Sequence, residues 1–276
     1  MTTTYQEAVN LLSPEAPDTL PQPDLASGTQ ETLEQETVSS EQETTQVSAD
    51  VGPKLWSSSK QGLKMLLYGA SGVGKTVFAS SAPRPIFFDA DGGLLSVVTP
   101  VPYFPIISWT ELQRAYAHVA AHPNDYDTVV VDSLNELQTV SLRDVIQIFP
   151  AGRGGIPNRT YFDQPSPSDW GKSLNDLERF VLAMRRLPQN VIFILTVGDL
   201  RSPEDPIRPF LRGRNTAAMV CRNMDVVGYM RLIEQDGSVL RQIVFESAQA
   251  ETKRRIHSLP AILHNPSWQT LQTYLP

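Results

Sequence analysis

Four short apolar runs recur along the chain as "LKMLLYG", "PIFFDAD", "DTVVVDS" and "NVIFILTV", rich in Val, Ile, Leu and Phe and each bounded by turn residues. Runs of this length and composition predict buried β-strands. Between them the apolar positions shift to a spacing of three and four, which predicts helices over 76–82, 109–122, 134–149 and 168–187. Ser168 is the expected N-cap of the last of these. Alternation of strand and helix requires crossover connections, so the expected class is α/β, a mainly parallel sheet between helices. Ligands then belong at the carboxyl ends of the strands. Near the C-terminus, "MDVVGYMRLIEQDGSVLRQIVFESA" holds two β-rich runs joined through Asp236-Gly237, an antiparallel hairpin that extends the sheet. Two stretches, 150–167 and 198–215, are rich in Gly, Pro and Arg and fit neither period. Loops of that length in a compact domain are usually functional.

Charge separates the two ends of the chain. The first 53 residues hold ten acidic side chains and no Lys or Arg, among many Thr, Ser, Gln and Pro. Such a stretch cannot bury enough apolar surface to offset its ordering entropy, so a disordered, solubilising acidic tail is expected over 1–55 and a folded domain over 56–276. Residues 54–276 carry 23 basic and 20 acidic side chains, a net +3 against −7 for the whole chain. The lone Cys221 excludes an internal disulfide, and His118, His122, His257 and His264 show no metal-ligand spacing, so zinc is not expected. No run reaches membrane-spanning length and the first residues lack a signal-peptide pattern, which predicts a cytoplasmic protein without a membrane partner.

Gly69-Ala70-Ser71-Gly72-Val73-Gly74-Lys75-Thr76 fits G-x-x-x-x-G-K-[ST], with a predicted strand before it and a helix after. The pattern wraps backbone N–H groups around phosphates, brings Lys75 to the outer ones and offers the Thr76 hydroxyl to Mg²⁺, so ATP and Mg²⁺ are the expected ligands. Asp132 ends "TVVVD", where its carboxylate can hold the same metal. Asp89 and Asp91 follow another strand, and either can polarise an attacking water; period-two geometry puts both on one side if the strand continues that far. The alternatives at each position, a solvated glycine turn or a strand-end cap, bind nothing.

These motifs in this order, "GASGVGKT", "PIFFDADGG", "DTVVVDSLNEL" and "VIFILTV", resemble the RecA/RadA ATPase core over roughly 62–260, and most of all its short phage-encoded branch of RecA-like single-strand annealing proteins. The resemblance implies ATP hydrolysis linked to single-stranded DNA, in rings or filaments with nucleotide between subunits, in a phage or bacterial host cell, with a single-strand-binding protein as a further partner. It places Asp91 where the family carries a water-positioning Glu, one methylene longer, and Thr196 where many members sense the γ-phosphate with Gln or His. It also implies DNA-contacting loops at "AGRGGIPNRTYF", with Arg153, Arg159, Tyr161 and Phe162, and at "GDLRSPEDPIRPFLRGR", with Arg201, Arg208, Phe210, Arg212 and Arg214. Guanidinium groups beside aromatic faces suit an unpaired strand, although Asp199, Glu204 and Asp205 in the second loop oppose it. In "ETKRRI", Lys253 and Arg255 match paired basic residues that reach a neighbour's ATP; a basic surface patch is the plainer reading. Trp109 and Trp170 stand at helix starts and are expected to pack. Two other functions stay open: a different P-loop enzyme acting on a protein or small molecule, and a DNA-annealing module in which nucleotide only switches assembly, with little turnover.

Overall fold

The computed structural model describes residues 61–148, 164–199, 202 and 204–276. The expected acidic tail and the first arginine-rich loop, with Arg153, Arg159, Tyr161 and Phe162, lie outside these residues, as does Arg201.

Among the described residues, nine strands and six α-helices follow in the order β1 (Lys64–Gly69), α1 (Lys75–Ser80), β2 (Pro85–Asp89), β3 (Tyr103–Pro105), α2 (Trp109–Ala121), β4 (Thr128–Asp132), α3 (Leu134–Ile148), α4 (Pro167–Arg186), β5 (Asn190–Leu195), α5 (Thr216–Asn223), β6 (Val226–Gln235), β7 (Ser238–Val244), β8 (Lys253–Arg254), β9 (Ile262–His264) and α6 (Trp268–Gln272). They form one sheet in the order β3-β2-β4-β5-β1-β6-β7-β9, with β8 on β6. The first six strands of that order are parallel, and β7, β8 and β9 are antiparallel to their neighbours. The α/β class, the mainly parallel sheet and the C-terminal hairpin are therefore as the sequence predicts.

Period-two alternation sorts the strand side chains into two cores. Leu66, Tyr68, Phe88, Val129, Val131, Val191 and Phe193 face α2 to α5, whereas Met65, Leu67, Phe87, Val130, Ile192 and Ile194 face Phe78 of α1 and Trp268 of α6. Burial on both faces explains why these strands read as continuous apolar runs. The hairpin turns through Asp236 and Gly237, both at positive φ (52° and 71°), the requirement of a two-residue primed turn.

Three expectations need correction. Helix α4 is capped by Ser166, not Ser168: the Ser166 hydroxyl accepts from Asp169 N–H, the Asp169 carboxylate returns to Ser166 N–H at 2.7 Å, and Pro167 takes the first helical position. A reciprocal cap of this kind, worth about 1 kcal/mol, outcompetes a Ser two residues later. Strand β2 stops at Asp89, so period-two geometry does not extend to Asp91. The stretch 198–215 is not a free loop over its described part. Gly198 N–H donates to Arg208 O, Phe210 N–H to Thr196 O, and Ile207 exchanges bonds with Gln249 and Glu251.

Candidate functional site

The loop from Gly69 to Thr76 leaves β1 at its carboxyl end and enters α1 with Gly72 and Gly74 at φ 78° and 101°. At Gly69 a methyl group would stand 2.3 Å from Met230 O on the adjacent β6, so the turn that starts the loop admits no side chain. Lys75 is buried, and its ammonium donates to Gly69 O at 3.0 Å and Ala70 O at 2.8 Å. Burial lowers its pKa, against the pull of the Asp132 and Asp91 charges.

Adjacent strands set the acidic side of the site. β2 and β4 run in register, with Asp89 opposite Asp132. The Thr76 hydroxyl donates to Asp132 Oδ2 at 2.7 Å, joining the two residues predicted to share Mg²⁺. Asp132 is 3% exposed, and burial pushes its carboxyl up to about 6 although the Thr76 bond favours the ionised form. A carboxylate so desolvated, beside a hydroxyl and a lysine, fits a divalent cation, which would supply the charge neutralisation that burial removes. Thr76 and Asp132 are the residues that would hold it.

The two candidates after β2 have different duties. Asp89 is buried and its Oδ1 accepts the Gly92 N–H at 2.8 Å, which makes it the turn former. Asp91 is exposed at the rim, tied to the site by its N–H to Asp132 O at 3.3 Å. Its carboxylate is close enough to raise the Asp132 pKa further. Thr196 follows β5, its N–H donated to Asn135 Oδ1 at 2.9 Å.

Lys253 and Arg255 lie elsewhere. Strand β8 pairs Lys253 with Val227 and Arg254 with Val226, at the amino end of β6 and hence at the opposite end of the sheet from the phosphate loop. The Lys253 ammonium donates to Cys221 O, Arg222 O and Met224 O, closing the C-terminus of α5. Arg255 is exposed, 3.9 Å from Asp225 Oδ1. Neither can serve its own chain's loop; only a neighbouring copy could present them to a nucleotide.

The second arginine-rich stretch borders an open cleft of about 1140 Å³ at the carboxyl end of β5. Arg208, Phe210, Arg212 and Arg214 line it, together with Asp199, Asp205 and Trp170. Arg208 is 3.8 Å from Glu251. Arg212 stands over the Trp170 ring, 5.7 Å from its centroid.

Sequence reasoning missed three residues here. Asn135 and Gln138, on the first turns of α3, hold the cleft's backbone: Asn135 Nδ2 donates to Phe210 O at 2.5 Å, and Gln138 both donates to Arg212 O and accepts Arg212 N–H, each at 2.8 Å. Arg241, on β7, donates from Nε to Val73 O of the phosphate loop at 3.3 Å. The only available signal was the place of Asn135 and Gln138 just past "TVVVDS"; for Arg241 there was none.

The model of the AAA domain family matches residues 61–257, more than two thirds of the chain. The chain belongs to the AAA domain family. No curated protein matches it. Among solved structures, a KaiC-like protein from the hyperthermophilic archaeon Pyrococcus horikoshii OT3 aligns with a TM-score of 0.38 and 12% identity, over 67% of this chain and 78% of that one. As an AAA domain the chain carries a P-loop ATPase core, with its phosphate loop after β1, β5 between β1 and β4, and an antiparallel extension beyond β6. No helix among the described residues of this AAA domain is long and apolar enough to cross a membrane.

Proposed function

We propose that this AAA domain hydrolyses ATP with Mg²⁺ and binds single-stranded DNA, promoting annealing or strand exchange as the phage RecA-like proteins do, in an oligomer that brings Arg255 to a neighbour's nucleotide. The observation that carries the enzymatic half is the 2.7 Å bond from Thr76 to Asp132 beside a buried Lys75. Lys75 binds and orients the outer phosphates; Thr76 and Asp132 would hold the metal, which would neutralise charge on those phosphates. Asp91 accepts a proton from the attacking water, at the rim where water has access. The DNA half is supported by the cleft, whose Arg212 and Arg214 are exposed beside aromatic faces.

The test is the ATPase rate of the full chain with and without an oligonucleotide, beside Lys75→Ala. DNA-stimulated turnover that disappears in the variant supports the proposal; turnover indifferent to DNA removes its second half. The short Asp91 and Thr196 side chains favour a second reading, a nucleotide switch with little hydrolysis, for which DNA binding gated by ATP without phosphate release is the expected result.

A further inference from the structure

The arginines of the cleft attract phosphate, but they do not explain why two aromatic side chains stand incompletely covered beside them. Phe210 is 45% exposed, and Trp170 is only half-buried, on the first turn of α4 where the Ser166–Asp169 cap fixes the helix start. Such rings remain in contact with water at a cost in hydrophobic free energy, unless a ligand covers them.

The backbone around them is held in place. Gln138, 3% exposed, bonds both the N–H and the C=O of Arg212, while Asn135 and Thr196 hold Phe210 from either side. Arg212 is thereby kept over the Trp170 ring, and Arg214 follows two residues on, exposed and with no carboxylate partner among the described residues. The lining also carries Asp199 and Asp205, the latter accepting the Ser202 N–H at 3.1 Å. The phosphates of a polyanion entering this cleft are attracted by Arg212 and Arg214 and repelled by the two carboxylates. What meets the rings is then flat, apolar on its faces and attached to those phosphates.

We propose that Trp170, backed by Arg212, is a stacking platform for an unpaired nucleobase, and that it makes the cleft select single strands over duplex. This rests on the reading of the chain as a single-strand-binding protein. A duplex keeps its base faces stacked inside, so it offers this platform nothing and binds through phosphate contacts alone. An unpaired base has a free face of the right size whatever its identity, so the preference is for strandedness, not sequence.

The experiment is a salt titration of the full chain with a fluorescent 20-nucleotide single strand and the corresponding blunt duplex, for the wild type and for Trp170→Leu, Trp170→Phe and Arg214→Ala. Leucine keeps apolar volume on the helix and removes the aromatic face, and thermal melting checks that each variant is folded. Trp170→Leu should weaken single-strand binding about tenfold with duplex binding unchanged, the loss of one stacked base. Trp170→Phe should recover most of it. Against salt, Trp170→Leu should shift the single-strand line without changing its slope, while Arg214→Ala should reduce the slope by about 0.7, the loss of one phosphate contact. If wild type binds the single strand and Trp170→Leu binds equally well, or loses duplex and single strand alike, the platform is wrong and the DNA reading stands. If wild type binds neither oligonucleotide, both fall together.

Discussion

The phosphate loop and the arginine cleft share the carboxyl end of one sheet, yet they are built in opposite ways. At the loop the charged groups are withdrawn: Lys75 and Asp132 are buried, bonded to carbonyls and to Thr76, and shifted in pKa by that burial. At the cleft the charges are in solvent, and the structure fixes their backbone through Asn135 and Gln138 instead. The difference is the one expected if the loop holds nucleotide and the cleft holds a single strand, as proposed above. A metal and a phosphate chain are bound by a few groups whose strength depends on excluding water, so desolvation of the site is a stored cost that the ligand relieves. An extended polyanion is bound by exposed cations that trade counterions, and only the frame under them needs to be rigid.

The largest break in that comparison should come from Lys75→Ala. Turnover is expected to fall about a hundredfold or more, in line with removal of a preorganised charge at a reacting phosphate, while single-strand affinity without nucleotide stays within about twofold. A parallel loss of DNA affinity would mean that the two regions are not separable.

Next in size is a stability effect at the phosphate loop, measured without nucleotide. The Asp132 carboxyl titrates at about 6 in the fold against 3.8 unfolded, so between those values the folded chain binds more protons than the unfolded one. Stability therefore falls as pH rises through this window, by about 3 kcal/mol once Asp132 is ionised, and the full stability is present only below the unfolded value. Asp132→Asn should melt about 5–10 °C above wild type at pH 7.5 without nucleotide, should lose most of that gain near pH 4, and should be inactive. A melting temperature below wild type at pH 7.5 would show that the fold stabilises the carboxylate without nucleotide after all. The cleft, with no buried carboxylate, should show no comparable trend in the Arg212→Ala or Arg214→Ala variants.

A third test reaches the frame. Gln138→Leu leaves the Arg212 N–H and C=O without their partner and should cost about 2 kcal/mol of stability, seen as a drop of several degrees in melting temperature. Single-strand affinity should fall while the nucleotide Kd holds. Residues of this kind also mark the limit of what the sequence discloses. The strands and the phosphate loop are legible because their signals are contiguous: "LKMLLYG" is buried on both faces, and eight successive residues form the loop. Asp91 was legible as the candidate beside Asp89, although its place at the rim depends on β2 ending two residues before it, too early for alternation to apply. Gln138 was not legible, since a glutamine at helical spacing reads as an exposed polar position until the chain, 74 residues later, delivers Arg212 to it. The same holds for α5, β3 and β8, which are too short for periodicity to mark and are held by their neighbours in the sheet and core.

The smallest effect concerns Arg241, a cation that reaches from the antiparallel extension to the loop. Arg241 is exposed on β7, its Nε 3.3 Å from Val73 O, and a methyl group added at Gly74 would come within 3.0 Å of that nitrogen. A bond this long to a carbonyl contributes little by itself, but it steadies the turn whose amides must face the phosphates, and it leaves a guanidinium close to them. Arg241→Ala should then raise the KM for ATP about threefold with kcat within twofold, because an interaction equal in ground and transition states acts on binding alone. Arg241→Lys should recover part of the effect through charge without the planar contact to Val73. A loss in kcat instead of KM would place the guanidinium on the reacting phosphate, and the hairpin would then belong to the catalytic machinery instead of its support.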